Sequence, residues 1–140
     1  MTAVGVESQI TEALMTRLAA LTLSPVLPVA YPNVAFNPPA SGPYLVANAP
    51  LRATTQGIGI SAWDEHAGIF QVDVVYRAQD GVIKPTQIAD AVAAHFPRNL
   101  HLENGSVRVD IDEPPSIAAP VTDAPNLKTP VSIRYRCFKR

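Results

Sequence analysis

Charge is scarce in this chain. Charged residues make up 16% of it, and the net charge is −1. A balance so near neutral argues against a protein whose main partner is a nucleic-acid backbone. It also leaves much uncharged surface, which favours an oligomer, although long loops would account for it equally well. A single cysteine, Cys137, excludes an internal disulfide. No apolar stretch approaches the roughly 20 residues that span a bilayer, so no membrane partner is expected. The opening residues Met1-Thr2-Ala3-Val4-Gly5 lack the basic start and apolar run of a secretory signal. Synthesis in the cytoplasm is the plain expectation.

What is present is a hydrophobic fraction of 47% in 140 residues. That suits one globular domain spanning residues 1–140. Fourteen prolines are many for this length. They cluster at Pro25–Pro50 and Pro114–Pro130, which reads as long ordered connections between short strands.

The clearest strand is Gly68–Arg77. Phe70, Val72, Val74 and Tyr76 alternate with Gln71, Asp73 and Arg77, the period-two pattern of a strand with one buried face. A polar break at 78–81 separates it from a helical pattern over about Pro85–Phe96. There Ile88, Ala91, Val92, His95 and Phe96 share a face, Pro85 suits the first turn and Pro97 the end. Residues 3–21 form another amphipathic helix, with Val6, Ile10, Leu14, Leu18 and Leu21 on its stripe. Ser24-Pro25 stops it.

Between these elements, 26–36 is apolar but interrupted by Pro28 and Pro32, hence an edge strand or extended arm. Tyr44–Ala49 is a short strand. Residues 50–67 form a long insertion that carries the only tryptophan, Trp63, with Ile58 and Ile60. Insertions of this length are usually functional when ordered. A hairpin arm reaching another subunit is expected; an arm folded on its own core is the alternative. Residues 99–111 read as a hairpin turning at Asn104-Gly105. In the last strand Val131, Ile133, Tyr135 and Cys137 alternate with Ser132, Arg134 and Arg136. The fold class is α+β: a mainly antiparallel, mixed sheet with two helices on one face and an extended hairpin arm.

Catalytic and ligand motifs are not evident. Gly57-Ile58-Gly59 lacks the third glycine of a dinucleotide fingerprint and opens no helix. His101-Leu102-Glu103 begins a zinc-deaminase signature whose cysteine pair this chain cannot supply. Asp64-Glu65-His66 has no second histidine at ligand spacing and reads as a solvated loop tip. Asp110, Asp112 and Glu113 read as an exposed strand end. Arg134, Arg136, Lys139 and Arg140 form a basic side without interleaved aromatics, more simply a solvated face than a nucleic-acid site. His95 reads as a core-edge histidine and Cys137 as a small buried hydrophobe. No catalytic residue, cofactor or metal is expected.

Several stretches, in order, are similar to one family. They are Leu27-Pro28-Val29-Ala30-Tyr31-Pro32-Asn33-Val34-Ala35-Phe36-Asn37-Pro38-Pro39, Pro43-Tyr44-Leu45, Gly68-Ile69-Phe70-Gln71-Val72-Asp73-Val74, Ile88-Ala89-Asp90-Ala91 with Phe96, and Pro130-Val131-Ser132-Ile133-Arg134-Tyr135. The ordered set resembles the bacteriophage tail terminator family, the lambda-type minor tail protein U group with its prophage and gene-transfer-agent relatives. The resemblance implies a structural virion protein that assembles in the host cytoplasm as a ring, usually a hexamer. Such a ring caps the head-proximal end of the tail tube, ends its polymerisation and meets the head connector. The implied partners are a second copy of the chain, the major tail tube protein and the connector or stopper protein. DNA would pass through the lumen without sequence-specific recognition.

Head-to-tail ring contacts require two different patches per subunit. The 50–67 arm and the 25–43 segment are the candidates. The expected interface residues are Arg52, Thr54, Ile58, Ile60, Trp63, Gln71 and Asp73. Two alternatives stand beside this reading. One is another neck component, such as a head–tail joining or tail-completion protein. The other is a small α+β enzyme or ligand-binding domain with Asp110, His101 or His66 converging in a pocket under the 50–67 loop.

Overall fold

The computed structural model describes residues 5–23, 26–39, 42–55, 64–79 and 81–139, with the backbone alone for 52–55, 64, 138 and 139. In chain order the elements are α1 (Val6–Ala19), β1 (Val29–Ala30), β2 (Tyr44–Ala47), β3 (Leu51–Thr55), β4 (Asp64–Arg77), α2 (Ile83–His95), β5 (His101–Asn104), β6 (Val107–Asp110), β7 (Ser116–Ile117), β8 (Val121–Asp123) and β9 (Asn126–Lys139). They build one nine-stranded sheet ordered β1-β2-β4-β9-β6-β5, with β3 beside β4 and with β7 and β8 beside β9. Among the described residues only β1 and β2 run parallel; the other pairs are antiparallel. The architecture is α+β.

The frame is the ladder between β4 and β9. It runs unbroken from Asp64↔Lys139 to Arg77↔Asn126. Because the register has no slip, alternation on one strand matches alternation on the other. Phe70, Val72 and Val74 therefore meet Ile133, Val131 and Thr129 on one face, and all six are at most 1% exposed. Ile10, Leu14 and Leu18 of α1 and Ala89 and Val92 of α2, with Phe96 just beyond it, close over that face in one cluster. Phe96 meets Phe70 edge-on with ring centroids 5.9 Å apart. Each large side chain buried here contributes about 1.5–3 kcal/mol relative to exposure.

Several expectations are corrected. The strand thought to begin at Gly68 begins at Asp64, so Asp64-Glu65-His66 is strand and not a loop tip. His66 is only 15% exposed at its side chain, and its Nδ1 lies 2.9 Å from Glu7 Oε1 of α1. The 50–67 segment is a β3–β4 hairpin in its described part; 56–63, including Ile58, Ile60 and Trp63, lies outside the described residues. Tyr76 is only partly buried, whereas Val75, on the opposite face, is 1% exposed. Register places Val75 beside Tyr44, and Phe36 packs on Tyr44 at 5.4 Å.

The hairpin turns at Gly105-Ser106, one residue later than Asn-Gly chemistry suggests, because Asn104 pairs with Val107 inside the ladder. Asn104 is held there by α1: its amide donates to the Gln9 carbonyl at 3.0 Å and to Glu12 Oε1 at 2.9 Å. Gly105 takes φ +61 at the first loop position, as a II′ turn requires.

Pro130 sits inside a central strand, where proline is usually excluded. Its carbonyl accepts from Ala118 N–H at 2.9 Å, so its backbone polar atoms face β7 and not β4. The missing N–H therefore costs no bond in the β4–β9 ladder.

The two helices are tied by a reciprocal contact. Arg17 Nε donates to the His95 carbonyl at 2.9 Å, and His95 Nε2 donates to the Arg17 carbonyl at 2.5 Å. Burial pushes the His95 pKa below its ordinary value; the hydrogen bond to the Arg17 carbonyl opposes this in part, and the Arg17 charge adds to the lowering. A histidine whose folded pKa is lowered stabilises the fold above its unfolded pKa. That contribution is lost as pH falls from about 6.5 towards the folded value. Stability followed by urea titration is expected to decline as pH falls below about 6.5, and His95→Gln is expected to flatten that decline.

Gly68 is required by close approach. A Cβ there would strike the Leu51 carbonyl oxygen and lie 2.7 Å from Tyr135 Oη. Both obstacles are constrained, one being backbone and the other a 3%-exposed core residue. Gly68→Ala is expected to destabilise the protein by about 1–3 kcal/mol, measured by chemical denaturation.

Candidate assembly surface

The face of the sheet away from the helices carries the polar set of β4 and β9. Gln71 Nε2 donates to Asp73 Oδ1 at 2.8 Å, and Asn48 Nδ2 donates to Asp73 Oδ2 at 3.2 Å. Asn48 also donates from its backbone N–H to the Gln71 carbonyl at 3.0 Å, fastening the corner between β2 and β3 to β4. Gln71 and Asp73, two of the expected interface residues, are thus half-buried neighbours on one strand. Ser132 and Pro130 lie directly across from them on β9. This is an ordered polar patch on an open face.

Nearer the arm, the same face forms an open cleft of about 390 Å³. Ala67, Gly68 and Ile69 line it, with the 72%-exposed Leu51 among its other residues. Arg136 Nε lies 2.8 Å from Glu65 Oε1, and its Nη1 lies 3.4 Å from Asp112 Oδ2. Arg134 reaches Glu113 at 4.0 Å. Of the basic side read from the last strand, Arg134 and Arg136 are therefore matched by carboxylates from β4 and from the segment after β6, while the Lys139 side chain and Arg140 lie outside the described residues. Sequence reading found these residues but not their pairing, since the β4–β9 register decides which side chains meet.

Arg52 and Thr54 lie in β3 opposite Gly68 and His66. Thus Arg52, Thr54, Gln71 and Asp73 belong to one sheet, two on its β3 margin and two on the neighbouring β4. Ile58, Ile60 and Trp63 lie outside the described residues. The pocket imagined for an enzyme does not assemble from its three named residues. His101 Nδ1 is 2.6 Å from Asp110 Oδ1 on the exposed β5–β6 hairpin, where Arg108 Nε also reaches Asp110 at 3.0 Å. His66 instead pairs with α1. Among the described residues no group of three or more His, Cys, Asp or Glu side chains could hold a metal ion. Among the described residues no helix is long and apolar enough to cross a membrane.

The fold defines the class: a small α+β domain with one helix-covered sheet face and one open, polar face. A family model described as phage tail terminator protein matches residues 9–135, and the chain belongs to that family. It is thereby a structural protein of the virion's tail or neck. Among solved structures, one whose title is only a sequence identifier is 34% identical, with TM-score 0.76 and coverage of 95% of this chain and 96% of that one. A chain of the structure titled "Virion of native gene transfer agent (GTA) particle" shares the fold at TM-score 0.69 and 14% identity, covering 97% of this chain and 99% of that chain. No curated protein matches.

The patch residues are expected to accept substitution without loss of the fold. Arg136 is 49% exposed at its side chain, and exposed ion pairs contribute about 0–1 kcal/mol. Arg136→Ala is expected to cost less than about 1 kcal/mol. Asp73→Ala, which removes the acceptor of two amides, is expected to cost about 0.5–1.5 kcal/mol. Both are measured by urea unfolding.

Proposed function

We propose that the protein assembles as a ring, a hexamer in the reading the family suggests, on the head-proximal end of the tail tube. There it ends tube polymerisation and presents a surface to the head connector. The observation that carries this reading is the family match across residues 9–135, which leaves little of the chain outside it. The open polar face supports it. A role in assembly needs ordered surface groups and no converging catalytic set, and the Asn48–Gln71–Asp73 network is such a surface group. Arg52, Thr54, Ile58, Ile60, Trp63, Gln71 and Asp73 carry the subunit or partner contacts. The major tail tube protein and the connector are the partners, and DNA passes through the lumen.

The test is to add purified protein to isolated tail tubes and image them in negative stain, alongside light scattering of the protein alone. Rings on one end of each tube and tubes of arrested length are expected. Asp73→Lys, which reverses the charge of the patch, is expected to lower the capped fraction while the monomer stays folded. Binding to the head connector with no binding to tubes would assign the protein to another neck position. A strict monomer at high concentration, with tubes left uncapped, would sink the ring reading.

A further inference from the structure

We propose that copies of this chain join through their sheet edges, β3 of one against β5 of the next, in parallel. The inference rests on the ring reading and supplies its contact. At the level of the arm the sheet is ordered β3-β4-β9-β6-β5, since Ala53 pairs with Ala67, Ala67 with Arg136, Arg136 with Asp110 and Asp110 with His101. Its two margins are therefore β3 and β5. They lie on opposite flanks, as a head-to-tail contact that closes by rotation requires.

The hydrogen-bonding polarity of both margins follows from bonds in the structure. The Gln71 carbonyl faces the β2–β3 side, where Asn48 N–H reaches it. In the unbroken β4 ladder Glu65, Ala67 and Ile69 face that side as well, so they bond Thr55, Ala53 and Leu51. This leaves the N–H and C=O of Arg52 and Thr54 directed at the free margin. On the other flank, Ile111 N–H donates to the Leu100 carbonyl at 3.0 Å. Alternation then turns His101 and Glu103 outward. Among the described residues no backbone bond meets these outward groups on either margin.

The two margins are complementary. Four successive antiparallel pairings make β3 and β5 run in the same direction, so a rotated copy presents a parallel strand. With Ala53 and the neighbour's His101 in one row, three bonds form. His101 N–H donates to the Arg52 carbonyl, Thr54 N–H donates to the His101 carbonyl, and Glu103 N–H donates to the Thr54 carbonyl. The pleats agree too, because Ala53 and His101 share the outer-face row of Ala67, Arg136 and Asp110. Neither margin contains the lysine or proline that commonly guards an exposed edge. The occupant each margin fits is a second copy.

Proline at the outward positions tests this directly. Thr54→Pro removes the outward N–H of β3 and Glu103→Pro that of β5, and neither N–H serves a ladder within the subunit. Both variants are expected to keep the circular dichroism and cooperative unfolding of the parent while losing the ring species in native mass spectrometry. Mixed in equal amounts, each supplies the margin the other lacks, so the mixture is expected to stop at heterodimers.

A second variant does not depend on proline being tolerated. Ala53→Cys combined with His101→Cys places one thiol on each margin, four strands apart within a subunit, and Cys137 stays buried. Mild oxidation is expected to give a covalent ladder up to the ring number, and either single variant gives none. A parent that forms rings while the folded proline variants still form them, or the double-cysteine chain gives no ladder, overturns the edge pairing alone. A parent that stays monomeric on and off tail tubes overturns the ring reading, and the edge pairing with it.

Discussion

The unbroken ladder between β4 and β9 is the constraint on which the other features depend. Fourteen residues on each strand hold one register, so Phe70, Val72 and Val74 of β4 and Thr129, Val131 and Ile133 of β9 fall on the helix side together. A slip of β9 by one residue against β4 would send Val131 and Ile133 to the open face and bring Ser132 and Arg134 under the helices. The short strands attach to this pair at different heights: β2 and β8 near one end, β3 and β6 near the other. The sheet is wide only because its central ribbon is long.

The ladder also explains where the polar chemistry lies. It lifts Gln71 and Asp73 onto the open face, where the corner at Asn48 folds back to meet them. It brings Glu65 to Arg136, residues distant in sequence, and leaves Asp112 near enough to share the guanidinium. These are arrangements of surface groups on a rigid support. They suit recognition between proteins better than the stabilisation of a reacting atom, which needs groups converging in an enclosed site.

At the arm the same geometry becomes an assembly argument. Gly68 lets β3 approach β4 where Tyr135 lies across the strand, so β3 remains part of the sheet while its outer margin stays open. The opposite margin, β5, is backed by α1 through Asn104. One sheet thus ends in two unlike margins, the condition for a contact that repeats around an axis. Family membership supplies the setting in which such a contact has a use.

Much of this was legible in the chain itself. Alternation in 68–77 and 131–137 identified the central strands and their buried residues, because period-two burial is written directly in residue type. Stripes through Ile10, Leu14 and Leu18 and through Val92 and Phe96 identified the helices. Proline at 28 and 32 marked β1 as an edge. The ordered resemblance pointed to the family. Other features had no local signature. The start of β4 at Asp64 is set by pairing with β9, and nothing in Asp64-Glu65-His66 announces it. Asn104-Gly105 is a good turn by itself, yet the turn moved to Gly105-Ser106 because α1 holds Asn104 in the ladder. Val75 is buried on the open face, at the level where the chain after β1 brings Phe36 onto Tyr44. The sequence by itself determined which residues seek the core, since that depends on side-chain chemistry and spacing. Only the tertiary structure decided which strand lies beside which, and hence which backbone groups face outward, because those choices depend on partners far along the chain.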